Sequence, residues 1–189
     1  MKKERFEAFT DAVIAIVLTI LVLELHLPNN DHSWQALVNI APNFLAYIFT
    51  FLFISIMWVN HHYLFLKVKT INNATLWLNI ALLFWTSLLP ATTAWMGSDL
   101  HSRVAAILYT INFIFYNISF AFLRRNVTYL TPEIDTRQSL EWTSLLEWIS
   151  FLINLVTLLT AYFLPPFVFV GISINILIWA ATHFTNYHN

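Results

Sequence analysis

Residues 6–25 read FEAFTDAVIAIVLTILVLEL, a run in which only Glu7, Asp11 and Glu24 carry charge. A helix rises about 1.5 Å per residue, so a run of this length crosses the roughly 30 Å hydrocarbon core of a bilayer. Lys2, Lys3 and Arg5 precede it, and the turn-forming Leu27-Pro28-Asn29-Asn30-Asp31 follows it. A cleaved signal peptide would also open on a basic cluster and an apolar run. This run is too long for one, and no small-residue cleavage pattern follows, so a retained first membrane helix is expected.

Five more stretches reach spanning length, at about 36–65, 74–96, 104–123, 142–163 and 166–184. Ile71-Asn72-Asn73, Gly97-Ser98-Asp99, the polar stretch from Arg124 to Gln138, and Pro165-Pro166 separate them. Only 10% of the residues are charged and 59% are hydrophobic; a soluble domain usually carries about 25% charged residues. The reading is an all-α membrane protein, one domain over 1–189, with six transmembrane helices. Arg124–Gln138 is expected to lie in water, and Pro165-Pro166 to turn the fifth helix tightly into the sixth.

Basic residues set the orientation. Lys2, Lys3, Arg5, Lys67, Lys69, Arg124, Arg125 and Arg137 fall in connections of one parity, and only Arg103 falls in the other. Basic connections stay in the cytoplasm, so both termini are expected there, in a multi-pass protein of the cell membrane. Absence of cysteine excludes disulfides, thiolate metal sites and thiol nucleophiles. A net charge of −1 gives no field for nucleic acid, and no such partner is expected.

Ionisable residues inside spanning helices are costly and mark function or pairing. Asp11 lies early in the first helix, and Trp58, Asn60, His61 and His62 lie at the end of the second. The antiparallel pair brings these to one level, as a polar cluster at the cytoplasmic mouth or as independently wetted interfacial residues. Adjacent histidines point about 100° apart on a helix, a poor arrangement for one metal ion, and none is expected. Glu24 sits near the outer end of the first helix and Glu147 inside the fifth; both could simply reach water. Asn112, Asn117 and Asn175 read as interhelical hydrogen-bonding residues. Ile16, Ile20 and Leu23 form one stripe on the first helix, with Thr19 beside it and Asp11 about 140° away from Ile16.

Arg5-Phe6-Glu7-Ala8-Phe9-Thr10-Asp11 resembles the Arg-x-x-x-Phe-Ser-Asp signature of the transmembrane protein 175 family of potassium channels, with Thr10 keeping the hydroxyl. Trp58-Val59-Asn60-His61-His62 resembles the Trp-x-x-His-His pattern closing that family's second helix. The resemblance implies a homotetramer in membrane lipid, with a pore for potassium or other monovalent cations lined by the first helix of each copy. It implies an apolar constriction at Ile16, with further rings at Ile20 and Leu23 and a hydroxyl layer at Thr19. Arg5, Phe9, Thr10, Asp11, Trp58, His61 and His62 become a network holding the cytoplasmic end. Glu24 is expected to concentrate cations at the outer mouth. No cofactor is implied.

With only Gly97 and Gly171, no glycine-rich carbonyl filter can be built, so selectivity is expected to be modest and set by side chains. The alternative is a proton-coupled or secondary cation transporter. Paired repeats and midplane breaks, the usual marks of carriers, are missing from the sequence. The motifs of intramembrane or soluble hydrolases are missing too, and no enzyme is expected.

Overall fold

The structure, a computed structural model, describes residues 2–66, 68–130 and 136–186, with only the backbone described for 136–143 and 182–186. Seven α-helices carry the described chain, and no strand occurs among the described residues: α1 Lys3–Leu23, α2 Trp34–Asn39, α3 Ala41–Leu66, α4 Asn73–Ser98, α5 Arg103–Leu130, α6 Thr136–Phe163 and α7 Val168–Asn186. By length and composition α1, α3, α4, α5 and the 144–163 part of α6 can each cross a membrane; the sixth expected span is the shorter apolar helix Pro165–Ala181. The protein is therefore an all-helical, multi-pass membrane protein.

Two differences from the sequence reading bear on the site. The expected second span splits into α2 and α3 at Ile40, whose φ of −96° and ψ of 4° leave the helix. Pro42 favours the break, because a proline ring crowds the carbonyl four residues earlier, although α4 runs on through Pro90. Ser33 caps α2, its hydroxyl accepting from the Ala36 amide at 3.1 Å. Pro165-Pro166 forms the expected tight turn as a short 3-10 helix, Pro165–Phe167.

The second difference is larger. Helix α5 does not stop near 123 but runs to Leu130, and Arg124 is buried instead of lying in water. Its Nε lies 3.5 Å from Glu147 Oε1, with both side chains about nine-tenths buried. Its guanidinium sits 4.4 Å above the Trp179 ring and 5.0 Å from that of Phe120. A partner carboxylate and two aromatic faces replace the water that a lone arginine needs. Arg137, also in that stretch, lies outside the residues with described side chains.

Helices α3, α4, α5, α6 and α7 form a closed cycle of neighbours, α7 returning to α3, while α1 lies outside it across α3 and α4. Phe53, Tyr109, Phe113 and Tyr116 fill the interior, Phe53 and Phe113 meeting edge-on at 4.4 Å. Inside this core the Thr93 hydroxyl donates to the Leu89 carbonyl, at 2.7 Å. Thr93 therefore accepts from Thr50 at 2.8 Å, and Thr50 in turn accepts from the Tyr109 hydroxyl at 2.6 Å. One directed chain thus joins α3, α4 and α5 with each donor used.

The two glycines sit where helices come closest. A Cβ on Gly97 would lie 2.8 Å from the Asn43 backbone, at the α4–α3 contact, and one on Gly171 would lie 2.9 Å from Thr157 Cβ, at the α7–α6 contact. Overpacking of this kind costs about 1–3 kcal/mol. Gly171→Ala is therefore expected to lower the melting midpoint of the detergent-purified protein, and Thr157→Ala in the same chain, which removes the Oγ1 and Cγ2 atoms of the contact but keeps Cβ, to restore part of it. A single variant melting with the wild type contradicts this account of the seam.

Candidate functional site: the first helix and its N-terminal end

Helix α1 has two unlike faces. Phe6, Thr10, Ile14, Val17 and Leu21 are buried, at the i, i+4, i+8, i+11, i+15 spacing of a face turned to α3 and α4. On the other side Ile16 is 57% exposed, Ile20 41% and Leu23 72%. Ile16 stands about 200° around the helix from Ile14, so the exposed stripe turns away from the rest of the chain. Phe9, also exposed, extends the same line seven residues before Ile16.

Thr19 is exposed beside the stripe, and its hydroxyl donates to the Ile16 carbonyl at 2.7 Å. That bond occupies the proton and leaves the oxygen lone pairs free to accept. Ala8, Ala12, Ala15 and Thr19 are exposed along the adjoining edge, small side chains that permit close approach of another helix. Glu24 caps α1 and is half-buried, lining a crevice with Asn43, Tyr47 and Thr93. Its direction differs from that of Leu23 by the about 100° that separates neighbours on a helix.

At the N-terminal end of α1 the structure brings four of the expected residues together. Trp58 Nε1 donates to Asp11 Oδ1 at 2.9 Å, a direct α3–α1 tie. His61 reaches Thr10 through a third residue, Asn79 of α4. The Thr10 hydroxyl donates to the Phe6 carbonyl at 3.1 Å, so its oxygen accepts from Asn79 Nδ2 at 2.8 Å. Asn79 Oδ1 then faces His61 Nε2 at 3.0 Å, which makes His61 the donor. All three side chains are buried. Phe6 and Phe65 pack against the His61 ring, at 6.2 and 4.7 Å between centroids.

Arg5, Phe9 and His62 lie outside this network. Arg5 is exposed, and His62, exposed as well, stacks on Trp58 at 6.1 Å. Asn79 is the residue the sequence reading missed. Its signal was a lone amide in the apolar run Ala74-Thr75-Leu76-Trp77-Leu78-Asn79-Ile80-Ala81, since a buried amide needs partners.

The interhelical amides divide. Asn112 lies against the α4 backbone, its nitrogen placed to donate to the Trp85 carbonyl at 3.0 Å and its oxygen to accept from the Leu89 amide at 3.2 Å. Asn175 donates to Asn154 Oδ1 at 3.1 Å, across α7 and α6. Asn117 does not fit the expectation: its buried Nδ2 has no hydrogen-bond partner among the described residues.

Residues 5–90 match the family model described as "Endosomal/lysosomal potassium channel TMEM175". A potassium channel of a Chryseobacterium species is 39% identical over 165 residues, 87% of this chain and 85% of the relative. The endosomal/lysosomal proton channel TMEM175 of Gallus gallus is 32% identical over 136 residues, 65% of this chain but only 27% of that longer protein. The crystal structure of a lysosomal potassium-selective channel TMEM175 homolog from Chamaesiphon minutus superposes with a TM-score of 0.65 at 27% identity, covering 92% of this chain and 97% of that one. With a relative this similar along most of both chains, and helices arranged alike, the chain belongs to the TMEM175 family.

Proposed function

We propose that this protein is a potassium-permeable cation channel of the cell membrane, with modest selectivity, in which four copies of α1 surround a water path. The observation carrying this reading is the exposed stripe Ile16, Ile20 and Leu23, opposite the face that α1 buries on α3 and α4. Turned to a common axis, these side chains form stacked apolar rings, and a narrow apolar ring gates by losing its water. The small-residue edge allows neighbouring α1 helices to approach. The Thr19 oxygen, its proton engaged on Ile16, presents acceptor capacity to a passing cation.

Asp11–Trp58 and Thr10–Asn79–His61 hold the inner end of α1 at a fixed rotation on α3 and α4. These residues position the rings and do not ligate ions. Both termini lie in the cytoplasm, the side that Lys2, Lys3, Arg5, Lys67 and Lys69 favour. Glu24 adds negative charge at the outer end.

Reversal potentials in planar bilayers test the reading. In a potassium chloride gradient the expected reversal potential lies near the potassium equilibrium value. A value near the chloride equilibrium, or flux only with a co-substrate, rejects it. A shift with pH at fixed potassium indicates proton permeation, the activity for which the vertebrate relatives are named. In the same bilayers at low salt, Glu24→Gln is expected to lower conductance; an unchanged value removes Glu24 from the mouth.

A further inference from the structure

Away from α1, a cavity of about 300 Å³ lies between α5, α6 and α7, touching α3 only at Met57. Its walls are mostly apolar, including Ile118, Ala121 and Phe151. It opens at the surface, because the lining residues Phe122 and Trp148 are 54% and 57% exposed. If α1 surrounds the pore axis, this mouth faces lipid; that placement rests on the reading proposed above.

Polar groups in the cavity are few. Asn117 Nδ2 is a buried donor with no acceptor among the described residues, and Glu147 Oε1, 3.5 Å from Arg124 Nε, accepts no hydrogen bond from them. Glu147 Oε2 lies 3.8 Å from Nε of Arg125, whose side chain is 56% exposed. Arg124, Arg125 and Glu147 together carry a formal charge of +1, with Arg125 as its outward part. Asn117, Ala121 and Arg125 follow i, i+4, i+8 spacing, so the lone amide lies about 12 Å deeper along α5 than Arg125.

We infer that this cavity is a binding site for an anionic glycerophospholipid of the phosphatidylglycerol type. Its phosphate pairs with Arg125, which stands half-exposed at the mouth and whose charge Glu147, already paired with Arg124, leaves unbalanced. An acyl chain fills the apolar space behind it. A lipid with a choline headgroup has no net charge to offer.

Native mass spectrometry of the detergent-purified protein, titrated with phosphatidylglycerol or phosphatidylcholine, tests this. The wild type is expected to retain phosphatidylglycerol about fivefold more strongly, the scale of one interfacial charge. Arg125→Gln is expected to abolish that preference, and Ala121→Phe, which fills the cavity, to weaken retention of both lipids. Equal retention of the two lipids by the wild type, or a preference unchanged in Arg125→Gln, overturns the proposal. Should Ala121→Phe fail to fold, the exposed Arg125 still decides the matter. Loss of the oligomer in Ala121→Phe shows instead that a second copy covers the cavity, and overturns it too. Lipid retention is read without current, so failure of the pore reading and failure of this one are told apart.

Discussion

Ile16→Asn is expected to raise single-channel current about tenfold and to lower discrimination among cations. About tenfold corresponds to ~1.4 kcal/mol off the barrier to permeation. In the proposed assembly one substitution changes a whole ring, replacing apolar side chains by amides that hold water and so removing the dewetted constriction. Folding should be little affected, because Ile16 is 57% exposed; exposed changes usually shift stability by within about 0.5 kcal/mol. Ile14→Asn is the control. Ile14 lies on the buried face, 7% exposed, and its change is expected to reduce the yield of folded protein without raising current per channel. A folded Ile16→Asn protein with wild-type current would place Ile16 against lipid and remove α1 from the permeation path.

How much of this was legible before the coordinates depends on how local each signal is. Spanning helices are read from length and apolarity, which is why five of the six appear as such and the last as a shorter apolar helix. Pro165-Pro166 acted on its own neighbours and could be read directly. Pro42 carried the same kind of signal, but Pro90 sits inside the unbroken α4, so proline chemistry alone did not place the break at Ile40. The faces of α1 follow from helical periodicity once its start is fixed, but periodicity does not say which apolar stripe is buried.

Long-range pairings were another matter. Thr10 and Asn79 are 69 residues apart, and nothing near either names the other. Arg124 opened a stretch rich in charge and turn-forming residues, which looked solvated, and its partner Glu147 lies on another helix. The two glycines were read only as too few for a carbonyl filter. Their roles at Asn43 and Thr157 come from packing between helices, which local sequence does not encode.

Glu147→Gln is expected to be the most destabilising single change outside the apolar core. Glu147 and Arg124 are each about nine-tenths buried, so neither charge has water to fall back on when the other is removed. Breaking a buried pair by deleting one partner costs about 3–5 kcal/mol, because the remaining charge is left uncompensated. The Trp179 and Phe120 rings stay against Arg124 and offset part of this, about 1–2 kcal/mol at most. A net loss of about 2–3 kcal/mol should appear as a clearly lower melting midpoint by fluorescence-detected size exclusion. Two apolar groups of similar volume often match a buried pair, so adding Arg124→Met to Glu147→Met should recover much of the loss seen with Glu147→Met alone. The sign of that coupling separates a buried charge pair from a merely crowded site, because with crowding the two losses add. If Glu147→Gln melts with the wild type, water must reach the pair and Arg124 is not sealed between α5, α6 and α7.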